Sequence, residues 1–591
     1  MAIKYLVRAA LSLTVISFAI QNFTLVCSAR TSSAKSANEP AANKSADLII
    51  KNAKIYTCAE PAWQSAIAIS NGHIEQIGSD DEALKWAGPS TKIFDAKASL
   101  IMPGFHDSHV HLAEGGAELL QCRLNAVKTR AEIVALLAKW RDEHHGNWIL
   151  AAGLPLPAVI KEPIDCHILD QVSSTRPILV YAEDGHSAWL NSKAMALAKV
   201  TNKTKTTCGG IIELDDKGEA SGCLREGALA LAQKVLPVLS LKERSAALAK
   251  AIALANAFGV TSAQEAHANS EVITAYFDLA KRKKLNLKVV AALHTGTMTS
   301  KAYEQIAADA KKYSQYERLT AHSAKIFADG VVESHTAALL EPYSDRASSN
   351  NVKENQALNF TPEELTNMVK ELASRGFQVH IHAIGDRAVR ASLDAFSALP
   401  QSGDLRHQIA HVQLVNQSDL KRFAALNVTA NCQAAWAYQD AYIKELTAPL
   451  LGQERMKLVY PFNSLKKAGA RLAAGSDWTV STLNPLEAMQ TAVTRQAPKA
   501  SSATEPSQIE APLNEKEALE LEDIVKAYTT GGAYVNHSEK QTGSLEVGKC
   551  ADIIMLDKNI FTLPKNEIAS AKVKLTLLDG QAIYKDSDLS F

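Results

Sequence analysis

One unit recurs along the middle of this 591-residue chain: an amphipathic helix, a glycine, then a short apolar run of β type. Ser240-Leu-Lys-Glu243 spells a helix-capping box, Leu248, Ile252 and Ala255 follow on one helical face, and Gly259 opens the run Val260 to Gln264. Thr361-Pro-Glu-Glu364 repeats the device, with Leu365, Met368, Val369 and Leu372 as the apolar stripe and Gly376 before Phe377 to Ala383. Eight such β-runs follow in order: Ile101 to His111, Gly259 to Glu265, Leu287 to His294, Leu319 to Asp329, Phe377 to Ile384, Gln408 to Gln413, Val428 to Gln433 and Arg471 to Asp477. Eight strands alternating with helices predict an α/β fold, a (β/α)8 TIM-type barrel. The stretch between the first two runs, about 112–258, is too long for one crossover helix and predicts an inserted subdomain after barrel strand 1.

The two ends differ from the middle. Leu48 to Ile50, Ala66 to Ile69 and the turn Asn71-Gly72 lie near the start; Ala551 to Leu556, Lys574 to Leu578, the turn Asp579-Gly580 and Ala582 to Tyr584 lie near the end. They predict a small β-sandwich built from residues 46–100 and 541–591 around a barrel spanning 101–540. Ahead of them, Lys4 and Arg8 precede an apolar run from Ala9 to Ile20, too short to cross a bilayer. This reads as a signal peptide over 1–29, with a Ser-, Ala-, Lys- and Asn-rich linker over 30–45. It implies export, to the periplasm or outside the cell, with no transmembrane span after signal removal; bulky Val26 before Cys27 argues against lipidation.

Composition narrows the partners. The 63 Lys and Arg balance the 63 Asp and Glu, so no single-sign field favours nucleic acid, and a small-molecule substrate is the expected partner. Seven cysteines remain after signal removal, without a Cys-x-x-Cys pair, so neither a disulfide framework nor a zinc finger is indicated. Gly543 to Cys550 nearly spells a phosphate-binding loop, but Cys550 stands where Ser or Thr should hold magnesium and a β-run follows where a helix should start.

Polar and metal-capable residues sit at the C-terminal ends of the β-runs, where a barrel keeps its active site: His109, His111, Glu265, His294, Lys325, Asp329, His382, His411 and Asp477. His109-Val-His111 places two imidazoles on one face of a strand, within reach of one ion. His380, His382 and His411 add imidazoles at other strand ends, each of which could also be a hydrogen-bonded core histidine. The continuations His-x-His-x-Asp-His and His-Glu-x-x-His of two other hydrolase classes are absent. Lys325 lies in a strand expected to be buried; it either pairs with Asp329 or Glu333, or has a depressed pKa and captures carbon dioxide as a carbamate, an anionic metal ligand. Asp477 could ligate a metal and take a proton from an attacking water, or cap the following helix.

Met102 to His111, Lys325-Ile-Phe-Ala-Asp-Gly330, His382-Ala-Ile-Gly-Asp-Arg387-Ala, His411, Gly475-Ser-Asp477 and Gly543 to Asp552 occur in this order. In these motifs the chain resembles the amidohydrolase superfamily, in its amidohydrolase 3, YtcJ-like branch, which includes N-substituted formamide deformylases. The resemblance covers about Asp47 to Tyr584. It implies a hydrolase with one or two divalent ions, usually zinc: His109, His111 and Asp477 on the first, carboxylated Lys325 bridging, His382 and His411 on the second. His380 falls outside that ligand set, because the motif places its histidine directly before Ala-Ile-Gly-Asp. The stretch around His186 resembles the branch's inserted segment, whose histidine orients substrate, and Arg225 matches a further motif. After the lysine strand the branch has Gly-Ser-Leu-Gly-Ser-Arg, but here Gly330-Val-Val-Glu333-Ser-His335 stands, so Glu333 and His335 become candidate substrate contacts and the formamide substrate does not transfer.

The activity expected from these residues is cleavage of a non-peptide C–N bond, in an amide, N-acyl amine or N-formyl amine, by a metal-activated hydroxide with Asp477 as the catalytic proton acceptor. An ester or lactone hydrolase using the same ions and a non-catalytic regulatory binding protein are the alternatives. A homodimer is compatible with all three.

Overall fold

The computed structural model describes residues 45–206, 210–296, 299–346, 358–400, 403–498 and 510–591. The signal peptide over 1–29, Cys27 and all of the linker except Ser45 lie outside the described residues.

Eight parallel strands form the central sheet in chain order: β1 (Phe105–Val110), β2 (Val260–Ala268), β3 (Lys288–His294), β4 (Leu319–Phe327), β5 (Gln378–Ala383), β6 (Gln408–His411), β7 (Thr429–Cys432) and β8 (Leu472–Ala474). The last strand returns to the first. The Asp477 amide donates to the His109 carbonyl at 2.8 Å and the His111 amide to the Trp478 carbonyl at 3.0 Å, so the barrel is stitched shut at its C-terminal rim. Both capping boxes form, at Ser240/Glu243 and Thr361/Glu364. The stripes they start, Leu248, Ile252 and Ala255 and then Leu365, Met368, Val369 and Leu372, are buried in the main core. Gly259 and Gly376, both at φ +83°, turn each helix into its strand through the left-handed region that glycine enters without strain.

The expected first run, Ile101 to His111, is two strands. Leu100–Pro103 joins a sheet built from both chain ends, in antiparallel register with Ile553–Leu556 (Ile554 opposite Met102), and only Phe105–Val110 enters the barrel. Gly104 makes the break: its amide donates to the Asp552 carbonyl at 2.9 Å, and a Cβ there would collide with the Thr261 side chain. The eighth run also ends early, at Ala474, because Asp477 sits at φ +53°, outside extended backbone.

The end-built sheet has six strands, and a second sheet of four comes from residues 48–95. Ile50, Ile67 and Ile69 of one sheet share a core with Ile101, Ile553, Met555 and Leu575 of the other, the arrangement of a β-sandwich. Residues after Cys550 form the strand Ile553–Leu556, which removes the phosphate-loop reading. Between β1 and β2 lies a six-stranded sheet over residues 122–225, packed by the helices Arg130–Glu143, Cys166–Val172 and Ser192–Ala198. Among the described residues no helix is long and apolar enough to cross a membrane.

Candidate metal centre

Side chains alternate along each strand, so polar residues two apart stack up the barrel axis in layers. Lowest is a ring of amides. Gln264 donates to Gln378 at 2.8 Å, Gln408 to Gln264 at 2.6 Å, and Asn431 to Gln408 at 2.8 Å and to the Ser108 carbonyl at 2.9 Å. All four amide residues are buried, and they bond chiefly to one another.

Above them sit Lys325 and His380, adjacent in the β4–β5 register and both fully buried. Lys325 pairs with neither Asp329 nor Glu333, which removes the simpler of the two readings of that lysine. Its Nζ lies 3.2 Å from His109 Nε2 and 4.8 Å from the centre of the Phe327 ring. Burial pushes its pKa down to about 7, so near neutral pH a fraction is free amine. Asp329 instead accepts the backbone amides of Ala338, Ile384 and Gly385 at 2.9–3.0 Å, tying the loop after β4 to the loop after β5. Asp107 does the same across the barrel seam, accepting from Ser476 at 2.9 Å and His109 at 3.3 Å. Burial raises both carboxyls to about 7.

At the mouth, His109 Nε2 and His111 Nε2 approach the same oxygen, Asp477 Oδ1, at 3.4 and 3.1 Å. His411 Nδ1 lies 3.9 Å from Asp477 Oδ2, and ligand atoms of His109, His411 and Asp477 fall within 4.8 Å of one another. Gly475 permits this approach, since a Cβ there would strike His109. His411 and Asp477 both have left-handed backbone, φ +77° and +53°, a strain of about 1–3 kcal/mol each that non-glycine residues retain mainly at functional sites. The His411 ring stacks on Trp436, 5.2 Å between centres and 4° from parallel. The His382 ring is 4.5 Å from that of His411, and its Nε2 is 3.0 Å from the Gly330 carbonyl, which leaves Nδ1 as its ligating nitrogen.

Burial and the Lys325 charge hold His109, His382 and His411 well below the usual histidine range, as neutral imidazoles fit for ligation. Burial opposes the charge of His111 too, but the Asp477 carboxylate beside it prevails and raises it to about 9. His111 Nδ1, His411 Nδ1 and Asp477 Oδ1 are buried without a hydrogen-bond partner. Unsatisfied buried imidazole and carboxylate atoms at this spacing fit a divalent cation. The expected division into two ligand groups is blurred: His411 clusters with His109 and Asp477, and His382 stands at the edge.

The three candidate substrate contacts separate. His186 reaches the site, its ring 5.9 Å from that of His382, and its Nδ1 is 3.0 Å from Glu226. Burial opposes its charge, but Glu226 raises it to about 9. Glu333 is hydrogen-bonded by Thr447, and His335 pairs with Asp345 at 2.8 Å. Sequence reasoning missed Glu226, which also accepts from Thr336 at 2.7 Å, although it directly follows the Arg225 motif. Arg225 bonds Glu213 at 2.6 Å and Ser334 at 3.2 Å, joining the inserted sheet to the loop after β4.

Known proteins share this frame. Over 91% of this chain and 98% of its own length, an N-substituted formamide deformylase of Arthrobacter pascens is 24% identical. YtcJ of Bacillus subtilis, named as an amidohydrolase, is 28% identical over 90% of this chain and 98% of its own. A crystal structure of an uncharacterized metal-dependent hydrolase from Pyrococcus horikoshii superposes with a TM-score of 0.69 at 27% identity, covering 88% of this chain and 99% of that one. The amidohydrolase family model matches residues 92–584, from the sandwich through the inserted sheet and the barrel to the last strand, and the chain therefore belongs to the amidohydrolase family, in its YtcJ-like branch.

Proposed function

We propose that this protein is a metal-dependent hydrolase that cleaves a non-peptide C–N bond, in an amide, N-acyl amine or N-formyl amine. The observation that carries the reading is Asp477 Oδ1, buried without a hydrogen bond and faced by His109 Nε2 and His111 Nε2 at 3.4 and 3.1 Å. Its membership of the amidohydrolase family and its similarity to a formamide deformylase support hydrolysis at carbon–nitrogen bonds.

His109, His111 and Asp477 would hold one ion, Lys325 as its carbamate would bridge, and His382 and His411 would hold a second. The imidazole and carboxylate donors suit zinc. A divalent ion in such a site lowers the pKa of water from 15.7 to about 7 and polarises a carbonyl. Asp477 accepts the proton of the attacking water on its carboxylate and passes it to the leaving nitrogen, which cannot depart as an amide anion. His186, charged beside Glu226, is a hydrogen-bond donor for a substrate carbonyl or carboxylate reaching past His382. Trp436 covers one face of His411 and limits water there.

Asp477→Asn tests the assignment. Turnover of an N-acyl or N-formyl amine should fall about 10²–10⁴-fold, the usual share of a general base. Near wild-type turnover in a variant that still binds metal would remove Asp477 from the proton path. Matched amide and ester substrates separate C–N from C–O cleavage, and tight metal binding with turnover of neither would favour a binding protein.

A further inference from the structure

Each imidazole that ligates an ion has a second nitrogen, and what that nitrogen touches fixes the ring's tautomer and aim. For His382 it is a backbone carbonyl, that of Gly330 at 3.0 Å. For His109 Nδ1 no carbonyl or carboxylate is in place among the described residues. Its Nδ1 meets another imidazole, His380 Nε2, at 2.9 Å, with the rings nearly perpendicular (79°) and 4.7 Å between centres. Both residues are fully buried. The opposite nitrogen of His109, Nε2, faces Lys325 Nζ at 3.2 Å and Asp477 Oδ1 at 3.4 Å.

We propose that His380 is a positioning residue for the metal centre: its Nε2 accepts the Nδ1 proton of His109, which leaves the Nε2 lone pair of His109 aimed at the ion. The inference rests on the metal-centre reading above. Only one proton arrangement serves it. If His380 donated instead, His109 would carry its own proton on Nε2 and could not ligate. His380 must therefore hold its proton on Nδ1, the atom the structure leaves buried and unpartnered. The place of His380 explains its fitness for this: it points into the barrel in the same alternation as Gln378 below and His382 above, one layer under the mouth. A histidine two residues before a ligand thus supports a ligand on a different strand.

Two variants of the full-length protein separate this role from packing. His380→Gln keeps an amide oxygen near the place of Nε2 and can still accept from His109; His380→Leu fills similar space without an acceptor. The measurement is zinc affinity by competition with a chromophoric chelator, alongside thermal unfolding of the metal-free proteins. His380→Leu should bind zinc about 10–100-fold more weakly, the usual cost of losing such a partner, and His380→Gln should recover most of that loss. Wild-type affinity in His380→Leu, or equal losses in the two variants at matched metal-free stability, would overturn the proposal. A wild-type protein that binds no divalent ion would overturn the metal-centre reading as well, a result distinct from either.

Discussion

The floor and the mouth of the barrel are both lined with buried polar side chains, and they are completed differently. At the floor, Gln264, Gln378, Gln408 and Asn431 spend their amide groups on one another and on backbone carbonyls. At the mouth, His111 Nδ1, His411 Nδ1 and Asp477 Oδ1 are buried without a hydrogen bond, and one layer below it Lys325 is stripped of solvent, with the His109 nitrogen and the Phe327 ring beside its amine. A buried polar group without a partner costs about 1–3 kcal/mol, so a cluster of imidazole and carboxylate atoms in that state is a place that a ligand can complete. The floor is finished by the chain; the mouth is finished by what it binds.

The strongest way to break this contrast is to remove the most expensive group above the floor. Burial holds Lys325 down to about 7 against an ordinary 10.5, so between those values the unfolded chain binds more protons than the folded one, and stability rises with pH. Metal-free protein in bicarbonate-free buffer should gain on the order of 4 kcal/mol between pH 7 and 10 from this group, a gain lost again as pH falls toward 7. Lys325→Met should abolish that slope and be more stable than wild type at pH 7, while turnover collapses. Denaturant unfolding at both pH values checks this; a Lys325→Met protein less stable at pH 7 would mean the lysine is structural.

The floor should respond with the opposite sign. Gln408→Leu leaves Gln264 Oε1 without its donor and removes one acceptor of Asn431, in a fully buried layer. It should destabilise by about 2–4 kcal/mol, and the folded fraction should keep the wild-type metal affinity. A variant that folds normally but loses metal would place the amide ring within the site.

How these layers show in the sequence follows from the same distinction. The alternation that places His109 and His111 on one face is legible, and so is the strand-end position of Lys325, His382 and His411, because period two and the β/α rhythm are local properties. Gln378-Val-His380-Ile-His382 carries the whole stack of floor, support and mouth in one strand, yet without the fold only its last member falls in a ligand motif, and His380 shows as one more imidazole with no role. What His380 and Gln378 do depends on partners 271 residues away on β1 and 114 residues away on β2. The break at Gly104 was only half legible: Pro103-Gly104 is a turn signal within the run, but that the two halves belong to different sheets does not show until the Ile553–Leu556 strand is in place. Glu333 and His335 are conspicuous as departures from a motif, but their bonds to Thr447 and Asp345, far along the chain or on a following turn, show only in the fold.

The smallest effect should come from His186, which lies between the two conditions: near the mouth, yet completed by the chain through Glu226. Glu226 raises it against burial to about 9, above the ordinary 6.5. The pairing therefore contributes its full stability below about pH 6.5 and loses it as pH rises through 9, opposite in sign to Lys325 over an overlapping window. The His186 side chain is 19% exposed, so solvent screening discounts the shift to about 1–2 kcal/mol. Subtracting the pH–stability curve of His186→Gln from that of wild type isolates the term, since Lys325 is common to both. The difference should favour wild type at pH 6 and vanish by about pH 10. A difference that persists at pH 10 would show that His186 stabilises by packing, and would leave the charge that the proposed substrate contact requires without support.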